Sequence, residues 1–244
     1  MANARITQAY QVRIRGPAMV RLVVLNDNEP GPGLLNEWGW SLYIDGPSTI
    51  LFDADTDYRV IEYNASQLGV DLSRLDYAVL SHWHRDHYGG FPAVARMKPK
   101  LRVYAPPGPS FRLERLGLQV VTVKSALILE GGVVILPPLY AENVDLYEIA
   151  LSIPSRRGRI LVVGCSHPGV DKLAEQHLQV IGEEPYMVIG GFHSPPRRVL
   201  DRLAGLVRGP ICAAHCSGDE AKEYIAREYR EKACNVRTGS VIEV

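Results

Sequence analysis

The chain has 244 residues, enough for one large domain or two small ones, and its 46% apolar content suffices for a sizeable core. Lys plus Arg and Asp plus Glu number 27 each, so the formal net charge is zero. That balance points away from nucleic acid and membrane surfaces, both of which usually demand a basic excess. The N-terminal stretch 1–16, MANARITQAYQVRIRG, shows no apolar core of leader length. No apolar run approaches the roughly 20 residues of a membrane span. Four cysteines, Cys165, Cys212, Cys216 and Cys234, are too few and too irregularly spaced for a disulfide framework. The expectation is a reduced, cytoplasmic protein.

In chain order, Val/Ile/Leu/Tyr runs between Gly/Pro-rich turns predict strands at 20–26, 40–45, 48–53 and 77–81. Further strands are expected at 101–105, 118–123, 132–137, 147–153, 158–164, 186–191, 211–215 and 241–244. Helical patterns fit 57–68, 90–97, 169–180, 196–207 and 218–230, the last opened by Asp219 and Glu220, which suit a helix N-terminus. Hairpins dominate the first third, and helix alternates with strand in the last. Several strands are apolar on both faces, as buried sheets are. Two packed sheets covered outside by helices satisfy both patterns. With no repeat, low-complexity segment or long linker, one domain over 1–244 is expected. The irregular loop NDNEPGPGLLNEWG, 26–39, reads as a surface loop beside a site.

Three of seven histidines fall within SHWHRDHYGG, 81–90, immediately after a predicted strand. His82 and His84, two apart, share one side of an extended backbone. Asp86 and His87 fall where the chain turns toward Gly89 and Gly90, so they face a second point. Imidazole and carboxylate donors suit zinc, iron or manganese. A polar turn accounts for one histidine but not for this cluster. His167, His193 and His215 each lie just past a strand's C-terminal end, where open α/β sheets place their chemistry. His177, inside a polar helix, reads as a solvated surface residue.

The His-x-His-x-Asp-His motif, ILFDAD at 50–55 and the strand-end histidines together resemble the metallo-β-lactamase superfamily. The resemblance covers residues 20–244 and implies an α+β fold, an αββα four-layer sandwich with one or two metals at the sheet edge. Segments 64–91, 162–170, 190–193 and 215–218 resemble a branch that includes synthases of 7,8-dihydropterin-6-methyl-4-(β-D-ribofuranosyl)-aminobenzene-5′-phosphate, of methanopterin biosynthesis. Two motifs depart from that branch. Asp53-Ala54-Asp55 replaces its usual Asp-Thr-Gly, and Glu37-Trp38-Gly39-Trp40-Ser41 replaces Glu-His-Gly-Leu-Ser.

Carried over, the resemblance gives His82 and His84 one metal with a downstream histidine, and Asp86, His87 and His215 a second. No histidine lies between 101 and 160, so His167 is the replacement for a usual intermediate ligand. Cys165 stands at the usual bridging aspartate; a thiolate suits zinc, and a small buried apolar residue suits the place equally. Asp53 resembles the carboxylate that orients a ligand imidazole. His193 reads as a substrate-contacting acid or as a structural histidine. Trp38 and Trp40 are candidate pocket residues, with Tyr43, or else core.

The cofactor expected is zinc, one or two ions, with iron or manganese also suited. The partner expected is a small-molecule substrate. Three readings follow: a hydrolase of a phosphorylated or ester-bearing small molecule, with Asp86 orienting the nucleophile or moving its proton; a transferase joining a dihydropterin-methyl diphosphate to an arylamine; or a metal-binding protein without catalysis. A mononuclear iron dioxygenase shares the motif.

Overall fold

Side chains along β1 (Arg21–Asn26) alternate between two cores, as a strand's period of two requires. Leu22 and Val24 face one core, with Leu42 and Ile44 of β2 (Ser41–Asp45) and Ile50 and Phe52 of β3 (Thr49–Phe52). Val23 and Leu25 face the other, with Tyr43, Leu51 and residues of the covering helices. The computed structural model describes residues 19–244, so the N-terminal stretch 1–16, read above for a leader, lies outside the described residues.

The chain continues through α1 (Tyr58–Gln67), β4 (Tyr77–Val79), the single turn α2 (Arg85–Tyr88), α3 (Phe91–Met97), β5 (Arg102–Ala105), α4 (Phe111–Glu114) and β6 (Gln119–Thr122). A second sheet is built from β7 (Leu127–Ile128), β8 (Val134–Ile135), β11 (Leu151–Ser155), β12 (Gly158–Val162), β13 (Met187–Gly191) and β14 (Ile211–Ala214). A separate hairpin pairs β9 (Leu139–Ala141) with β10 (Leu146–Glu148). The last strand, β15 (Val241–Glu243), returns to pair with β1.

The first sheet runs β15-β1-β2-β3-β4-β5-β6, and the second β14-β13-β12-β11-β8-β7. Between them lies the central core, where Trp40, Phe52, Ile135, Leu151, Ile160, Ile189 and Ala214 are fully buried or nearly so. Outside the first sheet, Ile61 of α1 and Phe91 and Val94 of α3 close a second core. Outside the second sheet, Leu173 of α5 (Val170–Ile181), Leu200 and Leu203 of α6 (Arg197–Leu206) and Ile225 of α7 (Asp219–Glu228) close a third. Three cores between four layers make the expected αββα sandwich. Each fully buried large apolar side chain contributes about 1.5–3 kcal/mol by leaving water, so layer order is set by these alternating faces.

Parallel strands place the chemistry. β3 and β4 run parallel, as do β12, β13 and β14. The segments leaving these five strands carry Asp53, the 81–90 motif, Cys165 with His167, His193 and His215. Among the described residues no helix is long and apolar enough to cross a membrane.

Several expectations are corrected. Trp40 is fully buried between the sheets rather than lining a pocket, because it continues the inward alternation of Leu42 and Ile44. Tyr43 is core as well, in line with the alternative the sequence offered. His177 is not solvated: it is buried on the apolar face of α5 with Val170, Leu173 and Ala174. Ser152 Oγ lies 2.9 Å from His177 Nε2, and the Glu183 carbonyl 3.1 Å from Nδ1. Burial, then the Arg159 charge, pushes its pKa down to about 4. Finally, against the fully reduced state expected, Cys212 and Cys234 form a disulfide, with Cα atoms 4.5 Å apart. The chain leaving α7 returns beside β14, where Ala233 bridges to Ile211 and brings Cys234 against Cys212.

The bond joins cysteines 22 residues apart, a separation at which cross-linking stabilises by about 3 kcal/mol. Cys234→Ser is expected to lower the unfolding free energy by that order in urea titrations. Added reductant should then shift the wild type toward the variant and leave the variant unchanged.

Candidate metal centre

β3 ends at Phe52, which pairs with Val79 of β4, so the residues leaving the two strands stay side by side. Asp53 therefore meets Ser81. Asp53 is fully buried, and its backbone enters the left-handed region (φ 57°). Its Oδ1 accepts the Ser81 N–H at 2.7 Å, and its Oδ2 accepts Ser81 Oγ–H at 2.7 Å. The same Oδ2 lies 2.7 Å from His87 Nδ1. Asp53 thus fixes Nδ1 as the protonated nitrogen of His87 and leaves Nε2 facing inward.

Ser81 passes the same constraint on. Having donated to Asp53, its oxygen accepts from His82 Nδ1, 2.9 Å away, which leaves His82 Nε2 as the free nitrogen. That nitrogen lies 3.1 Å from His84 Nδ1, which is itself 3.2 Å from His167 Nε2. Three imidazoles converge there.

Cys165 and His167 arrive on the loop after β12. Gly164 makes the approach possible, since a Cβ there would stand 2.1 Å from Ser81 Oγ. The buried Glu148 carboxylate accepts the N–H groups of Ser166 and His167, each at 2.8 Å, and so holds the loop. Burial raises the Glu148 pKa to about 7 against those two bonds.

His215 follows β14 with φ 48°. Asp27 accepts its backbone N–H, and Asn28 Oδ1 lies 2.9 Å from its Nδ1. Nε2 is therefore turned inward, 3.3 Å from Asp86 Oδ2. The same carboxylate oxygen lies 3.7 Å from His87 Nε2 and accepts Trp38 Nε1–H at 3.1 Å. Trp38 is 61% exposed, with its ring centroid 5.3 Å from that of His215. The 26–39 loop thus lies against the site as expected, through Asp27, Asn28 and Trp38.

Donor atoms of Asp86, His87, Cys165 and His215 all lie within 4.8 Å of one another, as do those of His82, Cys165 and His167. Cys165 belongs to both sets, and its sulfur is 3.2 Å from His87 Nε2. All the ligand candidates read from the sequence are brought together. His193 stands at the rim, exposed, with its ring 4.4 Å from that of His167. Asp27, Asn28 and Glu148 were not singled out from the sequence. Asp27 and Asn28 sit at a strand's C-terminal end, and Glu148 is an acid within an apolar strand pattern, which are the signals they offered.

The electrostatics favour the ligand forms of His82, His167 and Asp86, but not of His87. Burial, then neighbouring imidazoles, pushes His82 well below the usual histidine range and His167 to about 3. Burial opposes ionisation of Asp86, but the His215 bond and the His87 and His215 charges outweigh it and hold the carboxyl below its usual range. For His87, burial is outweighed by the Asp53 charge and hydrogen bond, raising it to about 9. Its extra proton sits on Nε2, so cation binding there releases a proton. Among the described residues, His167 Nδ1 is buried without a hydrogen-bond partner. Imidazole nitrogens, a thiol and an anionic oxygen converging in this way fit divalent cations, with His87 giving up a proton on binding.

Asp53→Asn keeps the size but loses the charge that orients His87. A cation affinity about 10–100-fold weaker is expected, the usual effect of losing such a partner. Competition with a chromophoric chelator measures it; unchanged affinity would remove Asp53 from the site.

Comparison with known proteins gives similarity in sequence and in fold. The model of the β-lactamase superfamily domain matches residues 48–134. The 7,8-dihydropterin-6-methyl-4-(β-D-ribofuranosyl)-aminobenzene-5′-phosphate synthase of Methanocaldococcus jannaschii is 27% identical over 246 residues, covering 80% of this chain and 84% of that protein. A solved metal-dependent hydrolase of the β-lactamase superfamily superposes with a TM-score of 0.78 at 22% identity, over 92% of this chain and 99% of that one. A diphosphatase of the PhnP family gives 0.63 at 15% identity, over 93% and 97%. The chain is thus similar to the β-lactamase superfamily domain over residues 48–134 and shares the metallo-β-lactamase fold.

Proposed function

We propose that the chain is a metal-dependent hydrolase of a phosphorylated or ester-bearing small molecule, with two zinc ions sharing Cys165. The observation that carries this reading is the position of the Cys165 sulfur in both donor sets. Nitrogen and thiolate donors favour zinc over the hard cations magnesium and calcium. His82, His84 and His167 would hold one ion, and Asp86, His87 and His215 the other. Bound there, the pair would supply Lewis acidity and a water acidic enough to ionise near neutral pH.

The chain's own residues supply orientation and proton transfer. Asp53, Ser81 and Asn28 keep the Nδ1 protons of His87, His82 and His215 pointing away from the site. Asp86 is half-buried and anionic, so its Oδ2 can accept a proton from an attacking group and return it to a leaving group. Trp38 Nε1–H orients that oxygen, and its exposed ring offers a flat face at the mouth.

A second reading is a transferase joining a dihydropterin-methyl diphosphate to an arylamine. The exposed Trp38 ring favours it, since a flat heterocycle stacks well on indole, and the relative from M. jannaschii is named a synthase of a pterin-containing phosphate. The PhnP-family neighbour, a diphosphatase, is in keeping with the hydrolytic reading.

Two variants and one product assay test these readings. His84→Ala is expected to lower metal content, while Asp86→Asn lowers turnover more than it lowers metal. Asn keeps the size and one oxygen but loses the charge. Metal and turnover are measured together on a phosphoester panel, before and after chelation. Full turnover by Asp86→Asn, or by chelated protein, would overturn the mechanism. Incubating pterin-methyl diphosphate with and without the arylamine separates hydrolysis from transfer.

A further inference from the structure

Cys216 is a buried, free thiol that the two donor sets above do not use. It follows His215 in the short turn His215–Ser217. Its hydrogen bond to the Cys165 carbonyl is 3.8 Å long, near the outer limit for sulfur. The sulfur is aimed at Cys165 through a gap kept open by Gly191. A Cβ at Gly191 would stand 2.7 Å from Cys216 Sγ and 3.3 Å from Cys165 Cα. Any other residue there would meet the Gly164 carbonyl oxygen at 2.6 Å and push Cys216 Sγ from its place.

His193 completes the cluster. Two consecutive non-glycine residues, His193 (φ 53°) and Ser194 (φ 45°), occupy the left-handed region. Such conformations cost free energy and persist where the surroundings impose them. Here the Ser194 N–H donates to the Cys216 carbonyl at 2.9 Å, and Ser194 Oγ reaches the same oxygen at 3.4 Å. The backbone bond ties the turn after β13 to the turn after β14. That tie folds His193 back over the cysteines, and the donor atoms of Cys165, His193 and Cys216 all lie within 4.8 Å of one another.

We propose that Cys165, His193 and Cys216 form a third cation position, one that takes a thiophilic ion such as Zn²⁺ or Cd²⁺. Two sulfurs and one imidazole are a donor set that zinc accepts, leaving a fourth place open. Hard cations such as Mg²⁺ and Ca²⁺ select oxygen donors and are excluded. The open place faces solvent, since His193 is exposed while both cysteines are buried. His193, expected from the sequence to touch substrate or to be structural, is thereby given a ligand's role. The proposal rests on the proposed function only through Cys165, which links this position to the histidine-rich sets.

The test is a titration of metal-free protein with Cd²⁺, following bound ion per chain by elemental analysis and thiolate-to-cadmium absorption in the ultraviolet. Wild type is expected to take one more Cd²⁺ than either Cys216→Ser or His193→Ala. Cys216→Ser should also lose the part of the thiolate absorption that its own sulfur contributes, while Cys165 keeps the rest. If Cys216→Ser does not fold, the exposed His193→Ala decides alone. Wild-type stoichiometry in the variants that fold, with undiminished absorption in Cys216→Ser, would overturn the proposal. His84→Ala distinguishes the histidine-rich reading. It should lose an ion and keep the part of the thiolate absorption that depends on Cys216; if it loses none, that reading fails while the sulfur position stands or falls on its own variants.

Discussion

A single buried carboxylate fixes the geometry on which the site depends. Asp53 is fully out of water, where an unpaired anion would cost several kcal/mol. Three donors offset that cost: the Ser81 N–H, the Ser81 hydroxyl and His87 Nδ1. All three belong to the motif segment, so the charge can be satisfied only when that segment lies across the end of β3. Once it does, the tautomers of His87 and His82 follow from the hydrogen bonds alone.

The same device recurs around the centre. Three inward nitrogens are backed by an acceptor on the far side of the ring: Asp53 for His87, Ser81 for His82 and Asn28 for His215. The backbone is held in parallel fashion, by Glu148 at His167 and by Asp27 at His215. These supports come from the first sheet, the β9–β10 hairpin and the loop after β1, and the nitrogens and sulfur they surround come from both large sheets. The site is therefore a product of how the two sheets pack, and Cys165 stands where their contributions meet.

What could be read from the sequence was mainly what is local along the chain. The 82–87 motif carries its geometry in its spacing, and the strand-end rule found His167 and His215 although they lie far away in sequence. The αββα layering was legible because several strands are apolar on both faces and helix alternates with strand in the last third. Other features needed the fold. Glu148 lies in a predicted strand, 147–153, that the structure divides between β10 and β11, so its inward role was hidden by a wrong boundary. Trp40 continues the inward period of Leu42 and Ile44, a pattern present in the sequence but masked by the irregular loop before it. His177 shares helical spacing with Val170, Leu173 and Ala174, which its polar neighbours obscured. The Cys212–Cys234 pairing could not be read, because it depends on where the chain after α7 returns.

Anomalous scattering from zinc-loaded crystals tests the shared role of Cys165 most directly. Peaks are expected on both sides of its sulfur, each about 2.3 Å away, one among His82, His84 and His167 and the other among Asp86, His87 and His215. Zinc bound within the histidine clusters, with no peak in bonding distance of Cys165 Sγ, would contradict that role.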